Sequence, residues 1–250
     1  MEKIVFTILF RQILRNWQDI LAAGINPQNV LLLGFGGGPL SAVEYRIALG
    51  FGASVGIVAG TGGSADELLD DPLWSAMPNL YPLPFDASTV RAFTTPPEHP
   101  LDSAVREEMA KSFHDRYVAD GVERLPGNMR PWDQLDDTFK KANLEQAEYS
   151  IKILEAAGFK VRKGNGTPPF FGKLKDSEIE CMAEIEHGRW NMERLRDGWR
   201  YGKIRDDSKK IHDCLVPWTE LPEEIKHYDR EIVRAFPSIL AQAGLEMLRG

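Results

Sequence analysis

The sequence of 250 residues is poor in the residues that mark several large classes of protein. Its two cysteines, Cys181 and Cys214, are too few for a disulfide framework, so a reduced, cytoplasmic protein is expected. The five histidines and two cysteines form no metal-ligand motif, and no metal is expected. Acidic residues outnumber lysine and arginine by 37 to 30, so the net charge of −7 provides no overall attraction to nucleic acid or to an anionic membrane.

Long apolar runs are missing as well. The apolar stretch Ile4–Phe10 is too short to cross a bilayer. Arg11 and Arg15 follow this stretch, whereas a signal peptide carries its positive charges first. We therefore expect Lys3–Ala23 to form one buried or amphipathic helix, with a strand at its start left open, and we expect no membrane partner.

The first part of the chain alternates short apolar runs with glycine turns and helical segments. Val30–Phe35, Ala53–Ala59 and Asn79–Pro84 read as strands, and the first two are apolar throughout, as buried parallel strands are. Pro39–Leu49 reads as a helix that ends at Gly50. This order predicts a Rossmann-like parallel βαβ sheet over residues 1–95.

Two glycine-rich turns follow the first two predicted strands and would meet at one edge of the sheet. Glycine amides can approach an anion closely, and the helix N-terminus that follows adds positive potential. Ser41 could donate to a phosphate or ribose, and Glu44 could accept from a ribose hydroxyl. The predicted ligand-binding residues are Gly36, Gly37, Gly38, Ser41, Glu44, Gly60, Thr61, Gly62 and Ser64.

The alternative for these turns is that they bind nothing and that Ser41 only caps the helix. The dinucleotide fingerprint GxGxxG is not met, and there is no Walker lysine. An unaccompanied sheet of two or three strands also leaves its faces and edges uncovered. A second copy or a partner chain that completes the sheet is therefore expected, unless the sheet leans on the helical part.

The segment GGGPLSAVE resembles the PGGxGTxxE signature of the SLOG superfamily of nucleotide-related enzymes and sensors. Gly37, Gly38, Ser41 and Glu44 stand at the spacing of the signature, whereas Gly36 replaces its proline and Leu40 its third glycine. GTGGSADELL is similar to a stretch of the sensor domain of melastatin-type channels. The resemblance implies a partial SLOG-like domain without the upstream strands or the upstream arginine of the family.

The second half of the chain contains two copies of one sequence pattern. Pro131–Gly158 aligns with Pro217–Gly244 over its whole length without a gap, and nine positions are identical. Met109–Tyr117 aligns in the same way with Met182–Trp190. Self-similarity on this scale predicts two copies of one mostly helical module, packed face to face.

The second copy resembles the ryanodine-receptor (RyR) repeat. It has the family's H-x-R-W helix at His187–Trp190, its GW-x-YG turn at Gly198–Gly202 and its H-x-x-L-V-P-W segment at His212–Trp218. The first copy keeps only the ends of the pattern. The resemblance implies a divergent first repeat at 104–163 and a second at 177–250, with a linker at 96–103 and a loop at 164–176.

Large aromatic and basic side chains recur in the second repeat. Together they could form an apolar floor with polar rims for a flat heterocycle, and arginine could stack on a ring or contact a phosphate. The predicted repeat pocket consists of His187, Arg189, Trp190, Trp199, Tyr201 and Trp218. The alternative is a small structural core in which the histidine and arginine join turns.

Three functions remain open. The resemblances imply an intracellular sensor of a nucleotide or nucleotide derivative in bacterial signalling or defence, without catalytic residues. The second is a hydrolase of a nucleotide N-glycosidic bond, with Glu44 as its acid. The third is a protein-interaction module that binds no small ligand.

Overall fold

The computed structural model describes residues 2–95, 101–119, 129–164 and 173–250, with side chains from residue 11 onward in the first helix. Most of the predicted linker at 96–103 and loop at 164–176 lies outside the described residues. The chain divides into two compact units. The sheet unit comprises residues 1–94 and 191–217, and the helical unit comprises 95–190 and 218–250.

The sheet unit is built on three parallel strands in the order β1-β2-β3, namely β1 (Leu31–Gly34), β2 (Ser54–Val58) and β3 (Leu80–Leu83). All three strands were predicted. The helices between and around them are α1 (Glu2–Ala22), α2 (Pro39–Phe51), α3 (Gly63–Asp70), α4 (Pro72–Ser75) and α5 (Ala87–Thr94). The core lies between the sheet and α1, α2 and α3, and contains Ile13, Trp17, Tyr45, Leu49, Val55, Ile57, Leu68 and Leu80.

Two details of this unit differ from the sequence expectation. The chain is helical from Glu2, so α1 has no strand at its start within the described residues. Helix α2 continues through Gly50 to Phe51 and ends at Gly52, whose φ of 89° suits the left-handed cap that a glycine adopts most readily. Gly50 is exposed and tolerated inside the helix, so the second of two nearby glycines ends it.

The helical unit contains α6 (Ser103–Ala119), α7 (Asp137–Ala156), α9 (Glu223–Gln242) and most of α8 (Asp176–Arg196). The apolar spacing of Pro222–Leu248 predicts one helix over this stretch, and this prediction is wrong at its end. Gly244 has a φ of 70°, which reverses the chain after α9. The residues after it form the strand β7 (Leu245–Arg249).

A second strand that was not predicted, β4 (Phe159–Lys163), follows α7 and pairs with β7 in antiparallel register. Val161 lies opposite Met247 at the centre of this ladder. Residues 191–217, which belong to the predicted second repeat, group with the sheet unit. They contain the short parallel pair β5 (Arg200–Tyr201) and β6 (Ile211–His212).

The predicted class is confirmed: a parallel sheet with helices comes first, and a mostly helical part follows. None of the helices in the described ranges combines the length and apolar character that a bilayer crossing requires.

Candidate functional site

The first glycine turn, Gly36–Gly38, connects β1 to α2 at the carboxyl edge of the sheet. Gly36 and Gly37 have φ values of 48° and 89°, a region that glycine enters at little cost. Gly38 is the N-cap of α2, and Pro39 occupies the first helical position. Gly37 and Gly38 are exposed. The amides of the first turn of α2 have no carbonyl within the helix to bond, so this end suits an anion.

The second glycine turn, Gly60–Ser64, forms hydrogen bonds with the first. The Gly36 N–H donates to the Thr61 hydroxyl over 2.8 Å. The Ser64 N–H donates to the Gly37 carbonyl over 3.0 Å, and the Ser64 hydroxyl donates to the Gly38 carbonyl over 2.9 Å. The structure therefore brings both predicted turns together, and the second fixes the conformation of the first.

A carboxylate of the chain itself already occupies the amides of the second turn. Asp66 accepts hydrogen bonds from the N–H groups of Gly60 and Gly62, each over 2.8 Å. Sequence analysis missed this residue, although an acid in the first turn of a helix favours such a contact. Ligand contact by the second turn stays a prediction, and a bound anion there would have to displace Asp66.

The predicted polar residues of α2, Ser41 and Glu44, both interact with a buried tyrosine, Tyr45. Burial raises the pKa of Tyr45, and a hydrogen bond with Ser41 opposes that rise. Glu44, partly buried beside it, adds to the rise. Ser41 thus has a partner within the chain, and its contact with a ligand, like that of Glu44, stays a prediction.

Three residues of the predicted repeat pocket meet in the helical unit. The ring of His187 stacks on Trp190 at 5.6 Å between centroids and lies 5.8 Å from the Trp218 ring. His187 Nδ1 is 3.5 Å from the Asp229 carboxylate, and the histidine is buried. A buried histidine beside a carboxylate agrees with the alternative interpretation, a small structural core, at least as well as with contact to a ligand.

The indole of Trp218 is engaged on its edge and over its face. Its N–H donates to Glu180 over 3.0 Å, and the ammonium of Lys226 and the guanidinium of Arg230 lie 5.4 and 5.6 Å from the ring centre. A hydrogen bond from Arg230 holds the pKa of Glu180 below its usual value. These contacts favour a structural role for Trp218.

Arg189 forms a buried ion pair on the same helix. Its Nε lies 3.0 Å from both carboxylate oxygens of Glu186, which also accepts from Gln146 over 2.7 Å. Glu186 is 2% exposed, and burial raises its pKa against the opposing effect of Arg189. Arg189 is therefore committed to a carboxylate of the chain.

The remaining pocket residues belong to the sheet unit. Trp199 is buried, donates its N–H to Asp197 over 3.0 Å and lies 5.7 Å from the ring of His212. Tyr201 is exposed. Arg200 donates to the carbonyl of Leu80 over 3.2 Å. The six residues predicted as one pocket thus divide between the two units.

One titratable group of this region has a strongly shifted pKa. Burial, followed by the charge of Arg205, lowers the pKa of His212 to about 4. Its Nδ1 accepts from the N–H of Cys214 over 3.1 Å, which fixes the proton on Nε2. His212, Asp213 and Cys214 bring candidate metal-ligand atoms within 4.8 Å of one another in the described residues. Three consecutive residues alone are a weak indication of a metal site.

Together these features define a mixed α/β protein with a glycine-lined strand-to-helix turn and a helix whose H-x-R-W motif has a buried histidine and arginine. Residues 173–249 match the family model described as RyR domain. The chain therefore carries a RyR domain in this stretch, as the resemblance of its second repeat implied.

Proposed function

We propose that the chain is a sensor that binds a nucleotide-like molecule at the first glycine turn and the N-terminus of α2. The observation that supports the proposal is that this turn is exposed on one face and fixed by hydrogen bonds on the other. Its outer face, at Gly37 and Gly38, is exposed, whereas its inner face is fixed by hydrogen bonds from the second turn. A fixed set of amides costs little to organise around an anion when a ligand arrives.

The recognition chemistry follows from what lies around the turn. The amides of the first turn of α2 would take a phosphate, which the helix dipole also favours. Ser41 and Glu44 lie within the first two turns of the helix and would contact the ribose or a further phosphate oxygen. The resemblance to SLOG sensors agrees with this chemistry, and it supports a role in bacterial signalling or defence.

The matched pair Gly38→Asp and Gly38→Asn tests the proposal. Gly38 has an extended backbone, and a Cβ there meets no atom within 4 Å. Both side chains are favoured N-caps, so both variants should fold at least as well as the parent protein. Only aspartate places a negative charge where the phosphate would bind.

The measurement is the thermal shift with ATP, NAD and ADP-ribose. A nucleotide present at about 100 times its Kd should raise the free energy of unfolding of the parent protein by about 2.7 kcal/mol. We expect Gly38→Asp to lose the shift and Gly38→Asn to keep most of it, because a neutral cap can give up the helix amides to the phosphate whereas aspartate also repels it. Equal shifts in both variants would place the ligand elsewhere, and loss in Trp199→Ala alone would favour the RyR domain. Product formation that depends on Glu44 would favour the hydrolase, and no shift with any nucleotide would favour the interaction module.

We further propose that residues 104–163 form the divergent first RyR-type repeat, in addition to the RyR domain at residues 173–249. Corresponding turns support this proposal. The Leu135 N–H donates to the Trp132 carbonyl and the Leu221 N–H to the Trp218 carbonyl, both over 3.2 Å. His114 lies 6.1 Å from the Trp132 ring, close to the 5.8 Å between His187 and Trp218.

The ladder between β4 and β7 supports the duplication independently. Phe159 pairs with Arg249 and Lys163 pairs with Leu245. Under the offset that aligns the two copies, Phe159 corresponds to Leu245 and Lys163 to Arg249, so exchanging the copies turns one pair into the other. This is the register that two copies related by a local two-fold axis require. An experimental structure in which no rotation of about 180° superposes the two copies would reject the duplication.

A further inference from the structure

We propose that two copies of this chain associate through the outer edge of β1, which pairs in antiparallel fashion with β1 of the second copy. The two three-stranded sheets would then form one continuous sheet. The proposal rests on the hydrogen-bonding groups of the two sheet edges and on the charges beside them, and it does not depend on a ligand.

The register of the sheet fixes which groups of β1 point outward. Leu31 lies opposite Ser54, and the Ser54 N–H donates to the Val30 carbonyl over 3.0 Å. In a parallel ladder with this register, Leu32 and Gly34 bond to β2. The peptide groups of Leu31 and Leu33 therefore point away from the sheet.

The opposite edge, on β3, is closed. By the same rule, Leu80 and Pro82 point outward there, since the Val55 N–H donates to the Asn79 carbonyl. The Leu80 N–H donates to Met77, and its carbonyl accepts from Arg200 over 3.2 Å. Pro82 has no N–H to offer. These are the devices by which proteins protect a sheet edge.

Within the part of the chain that the structure describes, the edge of β1 has none of these devices. Its sequence, LLLG, contains no proline and no charge, and Leu31 is 41% exposed. Natural proteins seldom leave such an edge open, because any extended chain can add to it. A partner strand is therefore expected on β1 rather than on β3.

The charge pattern favours a second copy as that partner. The chain has a net charge of −7, so two copies repel each other over most surfaces. No charged residue lies between Asp19 and Glu44, a segment that contains the whole of β1 and its flanks. Two copies can approach at this edge without bringing like charges together.

The strand also has a self-complementary register. If a two-fold axis passes beside Leu32, Leu31 of each copy lies opposite Leu33 of the other. Each such pair exchanges two hydrogen bonds, which gives roughly four across the edge. The two Leu31 side chains then lie on one face as diagonal neighbours, about 7–8 Å apart.

The variant Leu31→Lys tests this pairing, with Leu73→Lys as its control. Leu73, on α4 of the same unit, is 74% exposed, so the control introduces the same charge away from the edge. In sedimentation equilibrium, we expect the parent chain and Leu73→Lys to have twice the mass of the 28.1 kDa monomer. Leu31→Lys should be a monomer with an unchanged circular dichroism spectrum.

A charge-rescue experiment separates pairing from misfolding. Leu31→Glu should also be monomeric, but an equimolar mixture of Leu31→Lys and Leu31→Glu should recover the dimer, because opposite charges then meet across the edge. A monomeric parent protein at every attainable concentration would overturn the proposal. A Leu31→Lys variant that remains dimeric, or a mixture that stays monomeric, would overturn it too.

Discussion

Replacing Arg189 with methionine is expected to lower the free energy of unfolding by about 3–5 kcal/mol at neutral pH. The cause is Glu186, which is 2% exposed and whose two carboxylate oxygens share the hydrogen bond donated by the Arg189 Nε. Methionine fills much of the volume of arginine but leaves this carboxylate buried without its cation. Denaturation by urea, followed by circular dichroism, measures the loss.

The loss should depend on pH in a defined direction. Burial already raises the pKa of Glu186 above its ordinary value of 4.5, and removing Arg189 removes the main cause that opposes the rise. The folded variant then holds a proton that the unfolded chain releases above pH 4.5. Its stability deficit should therefore shrink as the pH falls toward that value and be largest above the raised pKa of the folded state.

The double variant Glu186→Gln/Arg189→Met is the control for this ion pair. Glutamine can still bond to Gln146 and carries no charge, so the double variant should recover most of the lost stability and its pH dependence should disappear. A double variant no more stable than Arg189→Met would show that the packing of arginine, rather than the buried charge, is what matters.

Replacing Gly63 with alanine should disrupt the contact between the two glycine turns. Gly63 has a φ of 57°, and a Cβ at this position would lie 2.3 Å from the Gly37 carbonyl oxygen. One of the two backbones must move, which adds about 1–3 kcal/mol to the cost of the left-handed conformation. The same movement should weaken any nucleotide-dependent thermal shift.

Gly60→Ala is the matched control for this variant. Gly60 also has a positive φ, of 76°, but a Cβ there meets nothing within 4 Å. The Gly60→Ala variant has at least the same backbone strain without the close approach, so it should lose only about 1–2 kcal/mol of stability. Equal losses of stability in the two variants would mean that the turns are not braced against each other.

The parallel sheet was predictable because its signals are local. Apolar runs that end in glycine identify β1 and β2 directly, and the helix between them begins at a proline. The strands β4 and β7 were missed, although residues 159–162 alternate apolar and basic residues with the period of a strand. A helix precedes each strand, and the chain reverses between helix and strand at one glycine with a positive φ. This glycine is Gly158 before β4 and Gly244 before β7, and helical periodicity does not reveal the reversal.

The position of the candidate site was predictable, but its internal contacts were not. The carboxyl ends of parallel strands meet at one edge, which places both glycine turns together. That Asp66 occupies the amides of the second turn depends on atomic positions that spacing does not encode. The division of His187 and Trp199 between two units likewise results from the path of the chain between them.

The most direct test of the proposed function is a titration of ¹⁵N-labelled protein with ADP-ribose, followed by the backbone amide resonances. The account predicts saturable shifts at Gly37, Gly38, Leu40 and Ser41, the amides of the exposed turn and of the start of α2. Shifts confined to residues 173–249, or no shift in the first turn for any nucleotide that stabilises the protein, would contradict it.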